Sequence, residues 1–183
     1  MKQLETKIDG LVLLELDTYK DPRGYFEEMY QVDRYKQFGI DTNFVQVSHS
    51  RSTRNVLRGL HSQINPAQAK LVMVARGAIL DVAVDVRPDS KTFGEHQVFE
   101  INDENHRQLY IPEGFLHGFV VLSNIADFIY FMNGKYNKEG EIGVAWNDPT
   151  LNVKWDIDKP IVSERDQNNP PFSSIDWKAM QWK

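Results

Sequence analysis

Five histidines stand in a chain that has no cysteine: His49, His61, His96, His106 and His117. Near neutral pH an imidazole is the side chain best suited to take a proton and give it back. His61 closes the apolar run Val56-Leu57-Arg58-Gly59-Leu60-His61, which also carries a cation. His117 follows Ile111-Pro112-Glu113-Gly114-Phe115-Leu116, a turn that enters another apolar segment. One histidine in such a place reads as a hydrogen-bonded core residue. Two of them in aromatic-rich β segments, with Arg58 and Lys70 nearby, point to a site. Arg58 and His61 are three apart, so strict alternation puts them on opposite faces; Gly59 allows a bulge that changes this. The missing cysteines exclude a thiol nucleophile, a disulfide scaffold, a zinc–cysteine site and an iron–sulfur cluster.

A metal site is the first use to weigh for the histidines. Small β-barrels of the cupin kind hold a metal with Gly, a spacer, His-x-His, a short spacer and Glu. A second motif, Pro-x-Gly-x-x-His, completes the ligand set. The second motif is present as Pro112-Glu113-Gly114-Phe115-Leu116-His117, but His61-Ser62-Gln63 replaces His-x-His and no Glu follows before Lys70. Two imidazoles beside an ammonium make a poor divalent site, because the cation repels the metal and a carboxylate ligand is missing. The sequence therefore reads as a barrel doing organic acid–base chemistry, with no metal and no cofactor.

The elements that must position these groups are short β-prone segments between turn signals. Ile79–Val86 is rich in β-branched residues and carries Asp81 and Asp85 on one face, and Phe44–Ser50 alternates with period two. Lys70–Ala75, Phe119–Leu122 and Phe128–Met132 read as more fully buried strands. Turns fall at Asp21-Pro22-Arg23-Gly24, Arg76-Gly77, Arg87-Pro88-Asp89, Pro112-Glu113-Gly114, Asn133-Gly134 and Asn147-Asp148-Pro149. Glu113 and Glu139 read as solvated turn charges. Only Gln31–Phe38 and Asp176–Trp182 read as helices. Many strands at close spacing predict an all-β sandwich or barrel, one domain over residues 1–183, with the tail from about residue 164 wrapping the body.

Composition bounds the function. The chain has 183 residues, of which 41% are hydrophobic and 11% aromatic, enough for a real core. The net charge of -5 argues against a surface that tracks nucleic-acid phosphates, though not against one small anion held by a local basic cluster. The polar start lacks the apolar stretch of a signal peptide, and no apolar run approaches the ~20 residues that cross a bilayer. We expect a soluble, cytoplasmic protein with no nucleic-acid or membrane partner.

Seven segments, taken in order, resemble one family. They are Asp21-x-Arg23-Gly24-x-Phe26-x-Glu28, Phe44-Val45-Gln46, Val56-Leu57-Arg58-Gly59-Leu60-His61 and Lys70-Leu71-Val72, then Ile111-Pro112-Glu113-Gly114-Phe115-x-His117-Gly118-Phe119, Trp146-Asn147-Asp148-Pro149 and Ser163-Glu164-x-Asp166. The family is dTDP-4-dehydrorhamnose 3,5-epimerase, and the likeness runs from near the N-terminus to about residue 170. It implies a cupin-type jelly roll, a homodimer and a metal-independent isomerase acting on a nucleoside-diphosphate 4-keto sugar. A 4-keto group acidifies the C–H bonds at C3 and C5, so epimerisation needs a base, an acid opposite it and a cation at the enolate oxygen. The resemblance implies that His61 is the base, Asp166 its orienting partner, Lys70 the cation and Tyr130 the acid. It implies further that Arg23, Glu28, Gln46, Arg58 and His117 bind the nucleotide, that Phe26 stacks near it, and that Tyr136 and Glu141 add contacts.

Departures from the family pattern lie around the expected pocket. Ser62 follows the catalytic histidine where an aromatic is common, and Ser48 shortens a donor near the nucleotide. Phe131-Met132-Asn133-Gly134-Lys135-Tyr136 replaces a Lys-Thr-Thr-rich loop, Glu139-Gly140-Glu141 lacks a middle His, and Arg165 replaces a frequent Lys. These changes leave open another nucleotide-linked 4-keto sugar, such as a GDP- or CDP-heptose, or inversion at only one centre. A metal-dependent cupin and a non-catalytic sugar-binding cupin are the remaining alternatives.

Overall fold

The computed structural model of the protein describes residues 1–182. In chain order the strands are β1 (Lys2–Leu4), β2 (Val12–Glu15), β3 (Thr18–Asp21), β4 (Gly24–Glu27), β5 (Gln46–Thr53), β6 (Val56–Gln63) and β7 (Lys70–Arg76). They continue as β8 (Ala78–Asp85), β9 (His96–Asn102), β10 (Arg107–Ile111), β11 (Phe115–Val121), β12 (Ile125–Met132), β13 (Glu141–Gly143) and β14 (Ile161–Val162). Two short helices, α1 (Val32–Lys36) and α2 (Glu164–Gln167), complete the regular structure with three 3-10 turns.

One sheet runs β1-β2-β10-β7-β12-β5 and faces a second that runs β13-β6-β11-β8-β9, with β14 added in parallel to β6. This is the cupin-type jelly roll; β3 and β4 form a separate hairpin. Between the sheets lie Val72, Val74, Ile79, Ala83, Leu109, Phe119 and Phe128. The outer face of the second sheet is also covered: Leu57, Leu60, Val82, Val84, Leu116 and Val120 pack against Trp155, Phe172 and Trp177 of the C-terminal segment. Tyr35 and Ile40 cover Leu14, Leu71 and Tyr110 on the first sheet. Double coverage is why β7 and β11 read as continuous apolar runs rather than alternating ones, and β11 is buried along its whole length.

Three local expectations change. Helix α1 is shorter than Gln31–Phe38 because Gln31 is its N-cap, its side chain accepting from the Arg34 N–H. Asp176–Trp182 is not a helix; only Trp177–Ala179 turns, as a 3-10 turn capped by Asp176. Burial of Trp177, whose indole N–H donates to the Phe172 carbonyl at 3.1 Å, overrides the weak local preference. Phe44 precedes its strand rather than opening it, packing instead in the cluster around Tyr35 and Ile40. Among the described residues no helix is long and apolar enough to cross a membrane.

Candidate active site

The site begins with a bulge. His117 pairs with His61 and Phe119 with Arg58, so Gly59 and Leu60 together oppose Gly118 alone. Both glycines are required by close approach. A Cβ on Gly59, whose φ is +129°, would lie 2.6 Å from the Gly118 Cα, and one on Gly118 would lie 2.9 Å from the Arg58 carbonyl oxygen. The slip in phase turns Leu57 and Leu60 outward to the C-terminal layer, and it turns both Arg58 and His61 into the cavity.

His61 is held by a carboxylate from the far end of the chain. β14 lays the segment before α2 along β6, and Ser163 caps α2 by accepting from the Asp166 N–H at 3.1 Å. Asp166 then accepts from His61 Nε2 at 2.5 Å, which keeps that nitrogen protonated and leaves the Nδ1 lone pair as the basic position. Burial works to raise the Asp166 carboxyl. The hydrogen bonds from His61 and the Gly59 N–H outweigh it and hold the group below its ordinary range. His117 has its own partner, with Nε2 2.8 Å from Asp81 Oδ2, and both side chains are buried. Reading the sequence noted Asp81 only as a face-mate of Asp85. The available signal was a carboxylate inside a β-branched strand that cannot be left unpaired when buried. Asp85 spends its charge elsewhere, on Arg87, Ser90 and Thr92 in the next turn.

Two further candidate groups come from the opposite sheet. Lys70 opens β7 and Tyr130 sits on β12, whereas His61 and His117 sit on β6 and β11. A cavity of about 470 Å³ is lined by Arg58, His61, Lys70, His117, Tyr130 and Asp166. A second lobe of about 280 Å³, with Gln46, Ser48, Ser62, Tyr136 and Glu141, shares His61, Lys70 and Tyr130 with the first. Burial pulls the Lys70 ammonium down to about 8, against the pull of Glu141 and Asp81. Burial likewise pushes the Tyr130 phenol up to about 12. At the rim Glu141 accepts from Arg165 at 2.7 Å and from Tyr136 at 2.8 Å, while Gln46 accepts from the Tyr136 N–H at 3.0 Å.

Arg23, Phe26 and Glu28 stay outside this assembly. Arg23 is 90% exposed at the tip of the β3–β4 hairpin and pairs with Asp21. Phe26 is 68% exposed, and Glu28 pairs with Arg34 at 3.2 Å. None of the three lines either lobe. Glu113 is not a free turn charge, because its carboxylate accepts from the Asn133 amide at 2.5 Å. Two buried amides also support the site: Gln63, noted in the sequence only for breaking the metal motif, and Gln68, not singled out there. Gln63 and Gln68 hold the loop around Tyr136 through its backbone, Gln63 donating to the Lys135 carbonyl and accepting from the Asn137 N–H, Gln68 donating to the Gly134 carbonyl. Gln63 stands where the metal motif has its second histidine.

A carboxylate-held imidazole on one sheet, facing an ammonium and a phenol on the other, can take a proton from one side of a carbon and supply one from the other. Fold and site together define a cupin-type epimerase that works by proton transfer. The family model for dTDP-4-dehydrorhamnose 3,5-epimerase matches residues 5–174, and the chain belongs to that family. The dTDP-4-dehydrorhamnose 3,5-epimerase of Shigella flexneri is 42% identical, with 97% of this chain and 99% of the relative covered. The dTDP-6-deoxy-D-glucose-3,5-epimerase of Legionella pneumophila, solved with dTDP-4-keto-L-rhamnose, superposes with a TM-score of 0.95. It is 40% identical, with 100% of this chain and 98% of that one covered. A 3'-monoepimerase from Streptomyces bikiniensis, solved with dTDP-quinovose, reaches a TM-score of 0.87 at 34% identity over 92% of this chain and 86% of that one.

Proposed function

We propose that the chain inverts C3 and C5 of a dTDP-linked 4-keto-6-deoxyhexose, in the making of rhamnose-type sugars. The observation that carries this reading is the placement of the His61–Asp166 pair and Tyr130 on opposite sheets around one cavity, with Lys70 between the lobes. Lys70 stabilises the oxyanion as the 4-keto group becomes an enolate, which lowers the barrier to C–H cleavage. The Nδ1 of His61 removes the proton, and Asp166 stabilises the imidazolium that results. Tyr130 returns a proton to the other face of the same carbon. No metal or cofactor is needed, because the ketone already supplies the electron sink.

Arg58 and His117 line the larger lobe and suit the diphosphate. Gln46, Ser48 and Tyr136 line the smaller and suit the nucleoside, with Glu141 and Arg165 at the rim. Arg23, Phe26 and Glu28 lie too far out to serve their own chain's cavity. We assign them to the neighbouring site of a homodimer, where an exposed arginine and an exposed aromatic can meet phosphate and base. The whole chain, residues 1–183, then works as one unit in the cytoplasm. The likeness to a 3'-monoepimerase favours one second reading, inversion at a single centre.

Incubation with dTDP-4-keto-6-deoxyglucose, followed by proton NMR, tests the proposal. A product inverted at both centres supports it, a product inverted at C3 alone establishes the second reading, and unchanged substrate overturns both. Thermal shifts with dTDP, GDP and CDP identify the base, since the tightest ligand raises Tm most at equal concentration.

A further inference from the structure

β5 lies at the edge of its sheet, and its side chains alternate strictly. Val47, His49, Arg51 and Thr53 face solvent, while Gln46, Ser48, Ser50 and Ser52 face the site side and are half-buried or buried. The inward row is bound to the groups described above. Ser52 Oγ accepts from Arg58 Nε at 3.1 Å, Ser48 Oγ accepts from the Gln46 amide at 3.2 Å, and Ser50 Oγ lies 3.0 Å from the Tyr130 hydroxyl. Among the described residues Ser50 is the one side-chain hydrogen-bond partner of that phenol. Tyr130 itself is half-buried, lines the cavity and packs edge-on to Phe128 at 4.5 Å.

Inversion at two carbons makes a demand that one inversion does not. In the first, His61 takes the C–H proton, and the bonding pair moves into the carbonyl as an enolate. Tyr130 gives its O–H proton to the same carbon from the opposite face, the enolate reverts to ketone, and a phenolate remains. Neither group can repeat its part until His61 has lost a proton and Tyr130 has regained one. A phenol that burial pushes up to about 12 makes a poor resting anion, so regain must be fast and local.

We propose that Ser50 is the relay and positioning residue that returns this proton, an inference that rests on Tyr130 being the acid. The Ser50 O–H donates to the phenolate oxygen while the Ser50 oxygen takes a proton from water at the sheet edge. The His61 imidazolium releases its proton to water. Water gives one proton and receives one, and in the reset only O–H and N–H bonds change. Between resets the same hydrogen bond keeps the phenol aimed into the cavity.

The test compares Ser50→Ala, Ser50→Thr and Tyr130→Phe by time-resolved NMR on the dTDP-linked 4-keto-6-deoxyhexose. Ser50→Ala is expected to slow formation of the doubly inverted sugar at least about tenfold with little change in KM. It should also let the singly inverted sugar accumulate, a change in product order that loss of packing alone would not produce. Ser50→Thr, which keeps the hydroxyl, should restore both rate and order. Wild-type rate and order in Ser50→Ala, or failure of Ser50→Thr to rescue, overturns the relay. If Tyr130→Phe blocks inversion while Ser50→Ala does not, the relay alone is wrong. If Tyr130→Phe inverts at the wild-type rate, the acid assignment is wrong and the relay falls with it.

Discussion

Lys70 is where burial and charge compete most directly. Burial lowers its pKa from the ordinary 10.5 to about 8, and Glu141 and Asp81 oppose the shift without cancelling it. The ammonium form is the one that stabilises an enolate, so kcat/KM is expected to fall as pH rises through about 8. Lys70→Arg should lose that alkaline limb, because a guanidinium stays charged. Persistence of the limb in Lys70→Arg would assign it to another group. The stability effect has the opposite sign. The folded state releases the proton first, so the unfolded chain binds more protons between about 8 and 10.5 and stability gains with pH across that window. Asp166 behaves in the usual carboxylate way: its depressed pKa contributes stability above the unfolded value, lost as pH falls through the folded one. Asp166→Asn cannot accept from His61 Nε2–H as a charge, and kcat should drop by about 100-fold or more with the fold intact. Circular dichroism and single-turnover rates on the same sample check both halves of that statement.

At the scale of elements, the β6–β11 bulge decides whether a site exists. Gly59→Ala places a Cβ 2.6 Å from the Gly118 Cα at a φ of +129°, so the strands must part. The expected loss is about 3 kcal/mol, read from urea unfolding, and Arg58 and His61 no longer share a face. A loss near zero would mean that the bulge has slack. The bulge was readable in the sequence only as an option, because Gly59 permits a slip in phase but its partner Gly118 lies far along the chain. The strands themselves were legible through β-branched runs and turn residues, and so were β5, β6, β7, β8, β11 and β12 in outline. The edge strands β1 and β9 and the inner strand β10 were not singled out, their polar and apolar residues giving no clean period. The same limit hid the C-terminal 3-10 turn, where burial of Trp177 rather than local preference sets the backbone.

At the scale of the molecule, His61 and His117 stood out because few residue types can pass a proton near pH 7, whereas Asp166, Lys70 and Tyr130 were marked only by the resemblance to the family. Asp81 was less legible, since its pairing with His117 depends on strands that neighbour only in the fold. The homodimer proposed above gives the exposed hairpin residues Arg23 and Phe26 a place in the neighbouring site. Mixing Arg23→Ala with His61→Asn chains then tests the assembly. Each variant alone should be weak, and mixed dimers should recover activity, because one of their two sites holds both intact residues; no recovery would place Arg23 in its own chain's function. The central claim, proton exchange with solvent through His61, has a more direct test. In D₂O the wild-type protein should place deuterium at both C3 and C5 of the dTDP-linked 4-keto sugar, and His61→Asn should place it at neither. Deuterium entering at the wild-type rate in His61→Asn would contradict the account.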